Sequence, residues 1–229
     1  MTDWSSIPQP VGNTPWSFPP PEKWPEGDLI AVGGDLAPAT LINAYRRGIF
    51  PMEVTSLGGR LGWWSPDPRG ILRPRDLHVS RSLRRSLRHF EIGVDTDFAG
   101  VVAGCADPSR SGRWITPEIV EAYTELHRMG WAHSVEVRQD GRLVGGLYGI
   151  AIGGLFAGES MFHTATDASK AAVAGLVDIV AADGDPRRLV DVQWRTPHLA
   201  TLGVTEEPRS AYLRLLADAL TAPLPEAFR

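Results

Sequence analysis

The chain has 229 residues, enough to bury a core without disulfide or metal staples, and its 43% hydrophobic and 22% charged residues are those of an ordinary globular protein. No run approaches the roughly 18 to 20 unbroken apolar residues of a membrane span, and the start, MTDWSSIPQPVGNTPWSFPPP, lacks the basic and then apolar regions of a secretory signal, so a cytosolic protein is expected. A net charge of -4 argues against indiscriminate coating of nucleic acid, and a single cysteine, Cys105, excludes an internal disulfide.

Proline and tryptophan crowd the first twenty-seven residues, which favours an extended, wrapped segment over a helix. In GGDLAPATLINAYRRGIF, Pro38 at a first turn, the stripe Leu41, Ile42, Ala44 and Tyr45, and the stop at Gly48 predict a short helix. GRLGWWSPDPRG then reads as the seam between a small amino-terminal unit, residues 1–65, and a larger domain, residues 66–229. Ser80 is placed to cap a helix running to about His89, and FEIGVDTD alternates as a strand. Thr116 with Pro117 opens a helix whose Ile119, Val120, Tyr123 and Leu126 face inward until Gly130. HSVEVRQDGRLVGGLYGIAIGGLFAGESMF holds β-rich runs separated by two hairpin turns, Asp140-Gly141 and Gly153-Gly154. Asp167 is expected to cap a helix with Val173, Leu176, Val177 and Val180 at core spacing; the strand RLVDVQW follows, then a last helix from about Pro208 to Leu220. Antiparallel strands followed by helix, strand and helix indicate an α+β, or mixed α/β, domain with a sheet flanked by helices. That order is similar to the GNAT-like arrangement, in which a splayed central sheet opens a cleft for an acyl donor.

Three patterns carry candidate chemistry. Along RLVDVQW, alternation puts Leu189, Asp191 and Gln193 on one face and Val190, Val192 and Trp194 on the other. The Asp191 and Gln193 Cα atoms should lie roughly 6.5 to 7 Å apart, near enough to share a hydrogen bond or a ligand, although the same pattern suits a strand with one solvated face. LFAGESMF carries Glu159 on the face of Met161, a carboxylate costly in apolar surroundings unless it is paired in a structural ion pair or used. Arg81, Arg84, Arg85 and Arg88 line one face of their helix with Leu83 and Leu87 opposite, a stripe that suits a phosphate backbone or a solvated surface. The turn HTATDASKAAV contains no glycine, which disfavours an acyl-CoA pyrophosphate cradle, and neither a P-loop nor a G-x-S-x-G elbow is present. Histidine spacing points to no metal site.

As a set, FPPPEKWPEGDLIAVGGDL, AYRRGIFPM, WWSPDPRGIL, LHVSRSLRR, AYTELHRMGWAHSVEV, LVGGLYGI, GESMF, ASKAA, and DVQ with HLATLG resemble the leucyl/phenylalanyl-tRNA–protein transferase family. That family appends Leu or Phe to proteins beginning with a basic residue and so marks them for degradation. The resemblance implies a small amino-terminal domain joined to a GNAT-like domain, Leu- or Phe-charged tRNA as donor, and acceptor proteins beginning with Arg or Lys. It implies no cofactor, and a monomer is expected. Asp191, Gln193 and Glu159 match the active-site polar positions. Trp114 and Met52 fall where the terminal adenosine is gripped, and Leu147, Phe156, Met161, Val173, Leu176 and Val190 fall at or near the apolar pocket for the transferred side chain. Arg81, Arg84, Arg85 and Arg88 match the tRNA-contacting cluster. Met52 stands where the best-known members have tryptophan, and Leu176 and Val180 where bulkier aromatics are familiar, which implies a wider pocket that ranks Leu and Phe differently or admits Met.

The implied reaction is aminolysis of an ester. An α-amine with a pKa near 7.7 to 8 is partly free base at neutrality, so binding and orientation matter more than strong base catalysis. An amide is scarcely basic, so Gln193 is expected to position amine or carbonyl, and Asp191 to orient Gln193, stabilise the developing ammonium or accept the proton. An acyl-CoA N-acyltransferase and a noncatalytic tRNA-binding module are the competing classes.

Overall fold

In a computed structural model, residues 8–109 and 114–229 are described, and the first seven residues of the proline-rich start lie outside them. The elements run β1 (Leu29–Val32), α1 (Pro38–Tyr45), β2 (Phe50–Val54), β3 (Arg60–Trp64), β4 (Arg69–Leu72), α2 (Arg81–Ser86), β5 (Glu91–Val94), α3 (Phe98–Cys105), α4 (Pro117–Arg128), β6 (Ala132–Gln139), β7 (Arg142–Ile152), β8 (Leu155–His163), α5 (Ala168–Ala181), β9 (Leu189–Gln193), α6 (Pro197–Ala200), β10 (Thr205–Glu207) and α7 (Arg209–Ala219). A small antiparallel sheet has the order β1-β3-β2, and a large one the order β10-β4-β9-β8-β7-β6-β5. The mixed α/β class is as expected. The segment read as a seam instead supplies two strands: LGWW lies in the central strand of the small sheet, and RGIL is the fully buried β4. Gly59, Pro66 and Pro68 made it look like a loop because they punctuate the strands on either side. Two glycines in FAGVVAGC, poor helix formers, hide α3, which Asp97 caps by accepting the Gly100 N–H.

Local chemistry sets most of the turns. Asp140 and Gly141 both take positive φ, 51° and 74°, as a two-residue hairpin turn requires, and Gly153 takes 59° at the next. Ser80 and Thr116 cap α2 and α4 through the N–H groups of Leu83 and Ile119. Past Ser86 the α2 backbone tightens to a 3-10 turn over Leu87–His89. Asp167 does not cap α5. It sits at φ 65°, and its carboxylate accepts the Ser86 hydroxyl at 2.8 Å, tying the start of α5 to α2.

Two apolar cores flank the large sheet. One joins Tyr45, Ile49, Phe50 and Trp63 of the amino-terminal unit to Ile71, Tyr123, Tyr148 and Tyr212; the other packs Leu72, Leu147, Phe156 and Val190 under α5. Between them, β8 and β9 run parallel, pairing Leu155–Ala157 with Leu189–Asp191 and no further. Just past that point each strand bulges. Glu159 has no opposite number on β7, since Gly149 faces Gly158 and Tyr148 faces Ser160. Val192 has none on β4, since Ile71 faces Asp191 and Gly70 faces Gln193. An extra residue bends its strand and re-aims the side chains beyond it, so the strands part and leave a cleft between their ends.

Gly70 permits the close approach of β4 to this end of β9. A Cβ there would meet the Trp194 carbonyl carbon at 2.7 Å and the Arg195 nitrogen at 2.8 Å, both backbone atoms. Gly70→Ala should therefore push the Gln193–Trp194 segment away, at a cost of about 1–3 kcal/mol for overpacking. Denaturant unfolding checks this; an equally stable variant would show that the approach tolerates a methyl group.

Candidate active site

Arg69 is buried to 1% exposure on β4, where it meets the equally buried Asp191 on β9. The pair is bidentate, with Nε donating to Oδ1 at 2.8 Å and Nη2 to Oδ2 at 2.6 Å. Nη1 donates to the carbonyl of Gly48, the glycine (φ 74°) that stops α1. The guanidinium lies over the rings of Tyr212, at 4.5 Å, and Phe50, at 5.0 Å. Burial works against its charge, but the Asp191 carboxylate together with Tyr212 and Glu159 more than offsets it and holds the Arg69 pKa above its ordinary value. Asp191 also accepts the Tyr212 hydroxyl at 2.7 Å and the Gln193 backbone N–H at 3.0 Å. Its lone pairs are committed.

Gln193 is centred in a tight turn: the Trp194 N–H donates to the Val192 carbonyl at 2.7 Å, and Gln193 itself has φ 58°. Three-residue turns of this hand are rare and strained. With the bulge at Val192, the turn breaks the expected alternation. Asp191 and Gln193 do not share a face: Gln193 lines the cleft beside Val190 and Val192, whereas Asp191 turns to Arg69 and Tyr212. The buried Gln193 Nε2 has no hydrogen-bond partner among the described residues. A buried donor left empty is costly, and a ligand oxygen would satisfy it.

Glu159, extruded at the β8 bulge, accepts the Tyr45 hydroxyl at 2.6 Å and the Tyr123 hydroxyl at 3.0 Å, and the two phenols also touch each other. Its carboxylate thus faces the core of Tyr45 and Tyr123, while Met161 packs against the core under α5, so the expected common face is not kept. Burial pushes the Glu159 pKa up; the tyrosine hydrogen bonds pull it down, the Asp191 charge adds to the rise and Arg69 opposes it, leaving it at about 7. Burial raises both tyrosines well above their usual range, so they remain neutral donors.

The cleft has two chambers. The inner one, so named because it adjoins the core under α5, is about 110 Å³ and is lined by Leu147, Met161, Val173, Leu176 and Val190 together with Val192 and Leu199. The outer one, of about 210 Å³, is walled by Phe50, Met52, Trp114 and Trp194. Glu159, Val192, Gln193 and Leu199 line both, so Glu159 and Gln193 stand at the junction. Five of the six expected pocket residues meet in the inner chamber; Phe156 is instead buried behind it, 5.6 Å from the Phe228 ring, and Val180 is also in the core. Met52 and Trp114, far apart in sequence, meet in the outer chamber. Arg81, Arg84, Arg85 and Arg88 are exposed, and α2 is anchored by buried Leu83. Among the described residues there is no cluster of metal-ligating side chains, and no helix is long and apolar enough to cross a membrane.

Residues 71–217 match the family model described as leucyl/phenylalanyl-tRNA protein transferase, and residues 34–67 match the model of that family's N-terminal domain. The leucyl/phenylalanyl-tRNA–protein transferase of Dechloromonas aromatica is 50% identical over 212 residues, covering 90% of this chain and 88% of its own. That of Azotobacter vinelandii is 51% identical over 214 residues, covering 90% and 92%. The chain belongs to the leucyl/phenylalanyl-tRNA–protein transferase family. Among solved structures, a GCN5-related N-acetyltransferase from Kribbella flavida overlaps 63% of this chain and 55% of its own at 15% identity and a TM-score of 0.36.

For a transferase of this family, the residues missed by sequence reasoning are Arg69, Tyr212, Tyr45, Tyr123 and Trp194. Arg69 was one of many arginines in a basic stretch, and the tyrosines stood at core spacing on their helices. Asp191→Asn should leave the Arg69 charge buried and uncompensated and cost about 3–5 kcal/mol of stability by denaturant unfolding. Replacing both partners with apolar residues, Arg69→Met with Asp191→Leu, should recover much of that stability while turnover stays low, because Gln193 loses its anchor. Full activity in the double variant would show that the pair does not position the site.

Proposed function

We propose that this transferase moves Leu or Phe from aminoacyl-tRNA to the N-terminal α-amine of proteins beginning with Arg or Lys, marking them for degradation by the N-degron route. The observation that carries the reading is the two-chambered cleft with Glu159 and Gln193 at its junction. An aminoacyl-adenosine has the same division: an apolar side chain, an ester, and an aromatic base. The inner chamber suits the side chain, the outer one the terminal adenosine against Trp114 and Met52, and the junction the ester carbonyl. Residues 1–65, taken as the small domain, contribute Tyr45, Phe50 and Met52 to the site that residues 66–229 otherwise form. The arginine stripe of α2 supplies charge for the tRNA backbone without reading sequence.

The chemistry follows from the geometry. The acceptor amine attacks the ester carbonyl carbon, a C–N bond forms, the bond to the ribose oxygen breaks, and the proton lost by nitrogen ends on that oxygen. Gln193 Nε2 is an empty donor where negative charge develops on the carbonyl oxygen, which makes it an oxyanion donor. Glu159 shares a proton near neutrality and, when ionised, keeps lone pairs beyond the two its tyrosines use, so it takes the amine's proton and passes it to the leaving oxygen. Asp191, with its oxygens committed, is a positioning residue that acts through the Gln193 backbone and Arg69.

The inner chamber is smaller than a cavity of about 150 Å³ that admits benzene. That size favours Leu over a phenyl ring and gives no support to the wider pocket expected from Leu176 and Val180, the second of which lies in the core instead. With labelled Leu-, Phe- and Met-tRNA in competition, Leu should be transferred ahead of Phe, and peptides beginning with Arg or Lys should be labelled while those beginning with Ala are not. Indifference to the acceptor's first residue would overturn the acceptor assignment.

With saturating acceptor, turnover should rise with pH through an inflection near 7, and Glu159→Gln should remove that inflection, leaving only the rise set by the acceptor amine near 7.7 to 8, and slow the reaction by at least about 10²-fold. Stability gives a second readout. Because the folded-state pKa is raised, Glu159 favours the fold below its ordinary pKa and loses that contribution as pH rises through about 7. Glu159→Gln should therefore raise the melting temperature relative to the parent more at pH 8 than at pH 5. An inflection unchanged in the variant would remove Glu159 as the proton acceptor.

A further inference from the structure

Trp194 leaves 40% of its surface exposed, immediately after Gln193, on a wall of the outer chamber. A large aromatic surface held in water beside a ligand-sized space is informative in a way that a lone surface leucine is not. Nor is the ring loosely held. The turn at Gln193 fixes its backbone, and Phe50 meets it edge-to-face at 5.3 Å and 90°. Phe50 rests in turn on the Arg69 guanidinium, and Arg69 on Tyr212, so a chain of ring contacts runs from the buried ion pair to the wall of the outer chamber. Trp194 is thus a pre-positioned aromatic with a free surface.

Any aminoacyl-tRNA carries its ester on the ribose of an unpaired terminal nucleotide. With the ester at Glu159 and Gln193, the attached base has the outer chamber within reach. Met52 on that chamber's wall offers a flexible thioether and no ring, whereas indole provides a rigid π-face for a base of any identity. We propose that Trp194 is a stacking wall of the donor site and, with Trp114, grips the terminal nucleobase of the aminoacyl-tRNA. The inference rests on the aminoacyl-transfer reading above.

The test uses the full chain, a minimal donor consisting of adenosine esterified with leucine, and a matched donor with an abasic terminal ribose. The minimal donor lacks the tRNA body, so the α2 arginines contribute little. Trp194→Ala should raise KM for the minimal donor about ten- to hundredfold, the scale of losing one base stack, with kcat little changed. Trp194→Phe should recover most of the loss, and on the abasic donor Trp194→Ala and the parent should behave alike. An unchanged KM on the minimal donor, or an equal loss on the abasic one, would overturn the stacking role. If the parent protein transfers leucine from neither leucyl-tRNA nor the minimal donor, the aminoacyl-transfer reading falls and takes this inference with it; an active parent beside an indifferent Trp194→Ala removes Trp194 alone.

Discussion

The buried Arg69–Asp191 pair is the constraint on which the site depends. It joins β4 to β9, receives the Gly48 carbonyl that ends α1, and is closed by Tyr212 from α7. Taking two charges out of water costs several kcal/mol each, and a buried pair is often no more stable than an apolar replacement. Its contribution is geometric. The bidentate fork fixes Arg69 in one plane, the guanidinium lies over the rings of Phe50 and Tyr212, and the Asp191 carboxylate also holds the Gln193 N–H. Four segments distant in sequence are set to one another by a single group.

The cleft arises where parallel pairing stops. β8 and β9 stay in register to Ala157 and Asp191, and each then accommodates one extra residue. The two bulges have opposite effects on polarity. At Glu159 a carboxylate is turned toward hydroxyl donors; at Gln193 an amide is turned away from the ion pair and into the cleft. Carboxylate and amide therefore both line the junction of the two chambers, although a regular strand would have placed them differently.

Much of this was legible in the residues. Pro38, Gly48, Asp140-Gly141, Gly153-Gly154 and Thr116-Pro117 mark their elements by backbone chemistry that tertiary context did not override. Glu159 and Gln193 stand out because polar side chains are costly in apolar strands. The aim of each side chain was not legible, since period-two alternation holds only for a regular strand and bulges depend on partner strands such as β4, itself hidden among prolines. Alternation put Trp194 with Val190 and Val192; Val192 does share the outer chamber with it, but past the turn at Gln193 Trp194 no longer lies with Val190, which lines only the inner one. Arg69 could not be separated from the surface arginines near it, because its partner lies 122 residues away. Asp167 had the right residue type for a cap, but its left-handed backbone aims the carboxylate at Ser86 instead.

Strain at Gln193 ties the ion pair to the chemistry. A non-glycine residue at φ 58° in a three-residue turn persists only where its surroundings over-determine it. Here the Asp191 carboxylate holds the Gln193 N–H, the Val192 carbonyl holds the Trp194 N–H, and Gly70 leaves room for the turn against β4. The same turn orients two groups on opposite sides of one peptide, the Gln193 amide at the chamber junction and the Trp194 ring at the outer wall. An ester bound across both would be located at two points before the amine arrives, so the reacting carbonyl meets an oriented donor without reorganisation of the protein. For an ester already activated by its tRNA, a site that spends its burial cost on orientation rather than on a strong base is the arrangement the chemistry requires.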